Sequence, residues 1–464
     1  MSTEDGNFEI DREHPDYVAQ KHAWRLYRDL YVGGEQFKAS ADHYLIRRQR
    51  EPGDVYSERL CRVFYENYIG SIIDWYTATL FRREPLLSYD GTNEGGKRFF
   101  AEFTEDCDLK GLSVTEFFRR QFVDALVGGR SHILVDFPRW TKPAETRAEE
   151  DARGASRAYL VGYAADELIN WNHDERGVYE WVVLRTTGVT KQRVEDPVWV
   201  KQTRWAYYDK REFRIYERLD KGTGQSPVEL VAAGRHGLAK LGRVPLFDLA
   251  LAEGQWLMNR AGLLQLEHFN KSNALGWALT MGLFAMPVVY SERDFNQMVG
   301  ESYYIQLGPQ DRFGWTEPEG HIHQVASENL TRLQREIYRV CYLSQAGGEL
   351  AGGGGQSGLS KLRDFAITQE VLRAYGDAVK DAMKRVLKAV EAAREDGLNL
   401  DVAGMDEFDI GEFSSELADA ERLLGLGINS PTLKKQIFKK LALKYLCDVR
   451  QELKDEIVRE IEGG

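Results

Sequence analysis

His321 and His323 form an H-x-H pair. In a strand, alternate residues share a face, so both imidazoles could reach one metal ion. Zinc sites take three or four protein ligands, and no third is identifiable here by spacing. His132 stands four residues before Asp136 in the apolar run Ser131-His132-Ile133-Leu134-Val135-Asp136-Phe137-Pro138. A histidine beside a carboxylate can act as a base, but in so apolar a run it is expected to be buried and hydrogen-bonded. Gly353 and Gly358 have the separation of the glycines in a phosphate-cradling G-x-x-x-x-G-K-[ST] loop, yet Leu359 occupies the lysine position. A helical stretch, not a strand, precedes that loop, so the context for a nucleotide site is missing. No G-x-S-x-G elbow or H-E-x-x-H occurs. Acidic residues are abundant and are expected to be solvated surface. The chain is therefore expected not to be an enzyme, with no cofactor and no metal. The alternative is a metal-dependent nucleic-acid-processing enzyme whose acidic active site carries no recognisable motif.

The chain that must position such residues has 464 of them, 43% apolar and 29% charged. That composition is globular, with room for two to four compact regions. No run reaches the apolar length of a membrane span, and Met1 to Arg12 is acidic and polar, unlike a signal peptide. The expectation is a protein that stays in the cytosol of the cell that makes it. Cys61, Cys107, Cys341 and Cys447 are scattered without a C-x-x-C pair and read as reduced thiols. A net charge of −12 argues against tight binding to nucleic acid, whose affinity comes mainly from lysine and arginine. It does not argue against DNA sliding past a surface that declines to hold it. Lys434, Lys435, Lys439, Lys440 and Lys444 cluster near the C-terminus but read as a solvated helix face.

From His14 to about Arg82 the pattern is helical and aromatic, with stops at Gly33-Gly34 and Pro85 and a loop at Arg47-Arg48-Gln49-Arg50. Ser113 to Leu126 predicts another helix, ended by Gly128-Gly129, and the run from Ser131 to Pro138 predicts a strand. After a charged excursion from Lys142 to Arg157, strands are predicted over Ala158–Tyr163, Glu180–Arg185, Arg204–Tyr208, Glu212–Tyr216 and Val228–Ala233, an antiparallel block in a helical protein. Leu249 to about Leu279 returns to helix. Leu283–Tyr290 and Tyr303–Leu307 read as two strands of a small module, and Ser327–Ala346 as the helix that leaves it. Leu359–Arg394 is one long helix, with Phe365, Leu372, Val379 and Val386 recurring every seven residues. Ser430 as N-cap and Pro431 at the first helical position open a last helix running towards Ile461, with a break near Cys447.

Between the last two long helices lie Gly347, Gly348, Glu349, Leu350, Ala351, Gly352, Gly353, Gly354, Gly355, Gln356, Ser357 and Gly358. Glycine costs the most backbone entropy to order, so such a run serves where close approach, mobility or unusual dihedrals are needed. It reads either as a flexible tether or as a loop projecting into a cleft or channel.

The order of these elements resembles the portal proteins of tailed bacteriophages. The likeness is carried by Trp24-Arg25-Leu26-Tyr27-Arg28-Asp29, by Tyr56 to Asn67, by Ser131 to Pro138, by Gln356-Ser357-Gly358-Leu359-Ser360-Lys361 and by Leu424 to Thr432, in order along nearly the whole chain. It implies an α+β fold: a mainly helical portal-type subunit with a β-rich wing, a helical stem, a small α/β clip and a short helical crown. On that reading residues 1–248 are the wing, 249–279 the first stem helix, 280–324 the clip, 325–346 the second stem helix and 347–358 the tunnel loop. Residues 359–395 are then the long helix returning to the wing, and 396–464 the remainder of wing and crown. Phe284, Tyr290, Phe295, Tyr303, Tyr304, Phe313 and Trp315 make the presumed clip aromatic, as suits an interface. The family implies a homo-oligomeric ring, usually of twelve subunits, at one capsid vertex of a virion made in the host bacterial cytoplasm. It also implies the terminase large subunit, a head-tail adaptor, and major capsid and scaffold protein as partners, with double-stranded DNA passing non-specifically. Another head-to-tail connector component is the nearest alternative, though such proteins are usually shorter.

Overall fold

Asn67, Asn93 and Ser113 each start a helix by accepting, through the side-chain oxygen, the amide of Gly70 (2.8 Å), Gly96 (3.0 Å) and Glu116 (3.2 Å). Such caps satisfy donors that the first helical turn cannot. The computed structural model describes residues 10–138, 157–191, 194–195, 198–220, 226–283, 286–291, 309–316, 320–343, 358–405, 408, 420–425, 430–445 and 457–461. In chain order its elements are helices α1 (Pro15–Val32), α2 (Gly34–Ala39), α3 (Gly53–Cys61) and α4 (Tyr68–Leu80), strand β1 (Leu86–Asp90), and helices α5 (Glu94–Glu105) and α6 (Val114–Gly128). Strands β2 (Arg130–Asp136), β3 (Tyr159–Ala164), β4 (Leu168–His173), β5 (Tyr179–Thr190), β6 (Val200–Asp209), β7 (Glu212–Asp220), β8 (Glu229–Arg235) and β9 (Leu246–Ala250) follow. Helix α7 (Leu257–Leu283), strands β10 (Met286–Tyr290) and β11 (Arg312–Thr316), and helices α8 (Gly320–Val340) and α9 (Gly358–Arg394) come next, then β12 (Asn399–Ala403) and α10 (Pro431–Tyr445). The chain is α+β.

Every strand pairing is antiparallel. Strands β4 to β8 form a five-stranded meander made of the last four predicted strands and the unpredicted β4, while the first predicted strand of the block, β3, pairs instead with β2 in the three-stranded sheet β3-β2-β9. Strand β2 is buried from Ser131 to Asp136 because it is central and covered, which is why its sequence reads as an unbroken apolar run. Helix is expected from Leu249, but Leu249 and Ala250 instead end strand β9. Its Leu246, Phe247 and Leu249 are buried, and it pairs along Arg130–Leu134, so the helix begins only at Leu257, after a 3-10 turn at Glu253–Gln255. Strands β1 and β12, far apart in sequence, close a two-stranded sheet that ties the start of the chain to its later part.

One large core joins α1, α4, α6, the root of α7, the end of α8, α9 and β12, through Leu30, Ile72, Tyr76, Phe118, Phe122, Ile337, Tyr375, Val379, Met383 and Val402. Of the heptad positions in α9, Leu372, Val379 and Val386 are fully buried, so the long helix runs through the body and not along its surface. A second core packs the three-stranded sheet on the five-stranded one, and a third packs α1 against the other face of the latter through Tyr17, Trp24, Val183 and Trp205.

Candidate functional site

Helices α7 and α8 are antiparallel. The Arg260 guanidinium donates to the Val340 carbonyl (2.9 Å), and Lys271 to Asn329 Oδ1 (3.1 Å). Beyond the helix pair in sequence, β10 and β11 form an antiparallel hairpin in which Met286 faces Thr316 and Tyr290 faces Arg312. Residues 257 to 340 thus form a single excursion, two helices tipped by a β-ribbon. At 1.5 Å per residue, α7 alone is about 40 Å long.

The root of this excursion is held by side chains that satisfy the last carbonyls of α8. The Tyr76 hydroxyl donates to the Cys341 carbonyl (2.7 Å) and Thr368 Oγ1 to that of Tyr342 (2.6 Å). The Tyr375 hydroxyl donates to Gln255 O (2.6 Å), just before α7. Helix α8 stops in a Schellman turn: the Leu343 amide reaches the Tyr338 carbonyl, the Tyr342 amide reaches that of Arg339, and Tyr342 has φ 61. A tyrosine in the left-handed region is strained. It is held by its own hydroxyl on the Gly254 carbonyl (2.8 Å) and by the Arg260 guanidinium 4.7 Å from its ring centre. This turn ends the helix at Val340, short of the predicted Ala346, and residues 344–346 lie outside the described residues.

Three carboxamides on α7 grip the N-terminal segment, each accepting from one main-chain amide and donating to one main-chain carbonyl. Gln265 accepts from Ile69 N (3.2 Å) and donates to Glu66 O (2.7 Å). Asn270 accepts from Ile46 N (2.9 Å) and donates to Tyr44 O (3.1 Å). Asn273 accepts from Phe64 N (3.1 Å) and donates to Phe64 O (2.9 Å). These side chains stand in for a β-strand edge and fix the first long helix to loops 44–46 and 64–69. Sequence reading missed them, although carboxamides among the buried positions of an apolar helix are a usable signal.

Of the predicted clip residues, Tyr290, Phe313 and Trp315 come together on the hairpin, with Tyr290 63% and Phe313 36% exposed. Phe284, Phe295, Tyr303 and Tyr304 lie outside the described residues, as does the predicted strand Tyr303–Leu307; the strand that pairs is β11. Of the glycine-rich loop only Gly358 is described, as the first residue of α9; Gly347, Gly348, Glu349, Leu350, Ala351, Gly352, Gly353, Gly354, Gly355, Gln356 and Ser357 lie outside the described residues. His321 and His323 sit on helix α8 and not on a strand, so the strand spacing that would suit a shared metal does not arise. Among the described residues no group of three His, Cys, Asp or Glu could hold a metal ion.

His132 is buried, but its partner is Asp248 (Nδ1 to Oδ1, 2.6 Å), across the strand pair, and not Asp136. Asp248 also accepts from the Tyr179 hydroxyl (2.8 Å). Although burial opposes ionisation, His132 and Tyr179 hold the Asp248 carboxyl below its ordinary range. His132 Nε2 is buried without a hydrogen-bond partner. The trio therefore joins two sheets and leaves no ring nitrogen open to a substrate.

A cleft of about 170 Å³ lies between α1, α6 and the end of β3, lined by Trp24, Arg28, Tyr31, Asp124 and Asp166 among others. Arg28 is salt-bridged to Asp166. Burial pushes the Asp124 carboxyl up to about 6 and that of neighbouring Glu167 to about 7, while Arg28 pulls both down and Asp166 pushes both up.

No family model and no curated protein matches the chain. Among solved structures it is similar to a chain in "Neck of empty GTA particle computed with C6 symmetry", at 12% identity over 78% of this chain and 87% of that one, with a TM-score of 0.41. It is similar to a chain in "Virion of native gene transfer agent (GTA) particle", at 12% identity over 84% and 94%, TM-score 0.40. A chain in "Neck of native GTA particle computed with C12 symmetry" matches at 12% identity over 85% and 94%, TM-score 0.37.

Proposed function

We propose that this chain is the subunit of a portal: a ring at one capsid vertex through which double-stranded DNA is packaged by a terminase and later released, and to which the tail or its adaptor docks. The observation that carries this reading is the excursion from Leu257 to Val340, a helix pair tipped by a hairpin, followed by the glycine-rich segment and the 37-residue helix α9. Both ends of the excursion are rooted beside α9, through Gln255 and Tyr342. A segment that enters and leaves one rigid root can present its tip to partners on one side and a loop to a channel on the other.

The parts divide the work as follows. Copies of α7 and α8 set side by side form the stem of the ring, a head-to-tail arrangement that closes by rotation. The hairpin with Tyr290, Phe313 and Trp315 belongs to the clip that meets the terminase and then the adaptor. Gly347 to Gly358 line the narrowest part of the channel, where small residues let the backbone approach DNA without gripping it. The net charge of −12 suits a wall past which DNA slides. The reading assigns the chain no catalysis; the motor's chemistry belongs to the terminase. Native mass spectrometry of the purified protein tests it. A species of about twelve times the 53.1 kDa subunit mass is expected, and a monomer at every concentration would overturn the reading.

A further inference from the structure

Among the described residues, two arginines on one surface form no salt bridge. Arg243 lies in the turn before β9 with its guanidinium 4.3 Å from the Phe247 ring centre, exposed and bound to no acid. Arg385, exposed on α9, donates to the Asp248 main-chain carbonyl (2.7 Å). Burial lowers the pKa of Arg243, and the like charge of Arg385 lowers it further, so the two forks repel each other in the isolated subunit. A chain with 73 acids against 61 bases has little reason to keep two such groups unneutralised, unless an acid arrives from outside. Arginine forks held on an aromatic ring and a backbone carbonyl are preorganised to take carboxylates at an interface.

On the other side of the same sheet the imbalance is reversed. Strands β3 and β9 flank β2, and where the arginines stand by β9, the cleft at the end of β3 is lined by Asp124 and Asp166, with Arg28 salt-bridged to Asp166, which leaves Asp124 as the acid in excess. A ring built head to tail needs two different, complementary patches at opposite sides of one subunit. Resting on the portal reading, we infer that Arg243 and Arg385 of each subunit dock on the adjacent copy of this chain, on the acidic rim of its α1–α6 cleft around Asp124. The contact specifies which neighbour is accepted and in what orientation, as complementary charges at interfaces do.

The test is charge reversal with rescue, read as the yield of closed rings at about 0.1 M salt, where surface charges still interact over roughly 10 Å. R243E/R385E should lower ring yield about tenfold or more, R243K/R385K much less, and D124K should lower it as well. The chain carrying R243E, R385E and D124K together should recover rings, because at every interface the two new glutamates then meet the new lysine at position 124. Near-UV circular dichroism of the dispersed subunits checks that each variant is folded. Rings from R243E/R385E at the unmodified yield, or a triple variant no better than its parents, would overturn the inference while leaving the portal reading intact. Absence of rings from the unmodified chain would instead overturn the portal reading itself.

Discussion

Replacing Gln265 by leucine removes two hydrogen bonds from the grip of α7 while keeping nearly the same side-chain shape. The Ile69 amide, buried and bonded to nothing but Gln265 Oε1 at 3.2 Å, loses its acceptor, and the Glu66 carbonyl loses its donor at 2.7 Å. A buried backbone group left without a partner costs about 1–3 kcal/mol; taking the middle of that range for the amide and less for the carbonyl, which water can reach, gives about 3 kcal/mol. That is a factor of roughly 150 in the local opening equilibrium. A chain of this size need not unfold in one step, so the suitable assay is amide hydrogen exchange of residues 64–70, followed by mass spectrometry, and not a global melting curve. Exchange should accelerate roughly 100-fold across this segment and hardly change in β5 to β7. An acceleration below about threefold, under 1 kcal/mol, would refute the claim that the carboxamides hold the first long helix to the body.

Gly376 lies where α9 passes Met405; an added Cβ would meet the Met405 carbonyl at 2.2 Å, so Gly376→Ala should displace that turn, cost about 2 kcal/mol or more, and lower the melting temperature. Asp124→Asn should stabilise the dispersed subunit. The folded Asp124 keeps its proton up to about pH 6 while the unfolded one releases it near 4, so stability falls as pH rises between these values. The asparagine variant should then be more stable than the parent by up to about 3 kcal/mol at pH 8 and by little at pH 4, and a pH-independent difference in urea titrations would contradict this. Deleting Gly352 to Gly355 should leave ring assembly intact and impair DNA packaging or retention; normal packaging would remove the loop from the mechanism. Tyr179→Phe should cost about 1–2 kcal/mol, since Asp248 then loses a hydrogen bond at 2.8 Å in a buried site, and thermal unfolding will show it.

Long helices with strong periodicity were legible from the residues alone. The heptad of α9 places its start within a residue of Gly358 and its end at Arg394, and Ser430-Pro431 marks the start of α10, where Ser430 Oγ accepts the Leu433 amide. The antiparallel block was legible too, because turn residues punctuate it, although each strand is longer than its apolar stretch since pairing continues past the core. Short strands whose partners are remote were not. β1 and β12 are five residues each and become strands only on meeting one another, and the end of β9 reads as helix until β2 lies beside it. At the site, the two helices and strand β10 were readable from the residues, but β11 at Arg312–Thr316, which becomes a strand by pairing with β10, was not. His132 shows the same limit. Its carboxylate partner comes from a strand 116 residues away, so the nearby Asp136 was the wrong candidate.

Electron microscopy of the purified protein, classified into end-on and side views, tests the channel most directly. Closed rings with a central opening, bearing the hairpin tips on one side, are the result expected. Uniform small globular particles that persist at high protein concentration, and with scaffold or capsid protein added, would contradict the account.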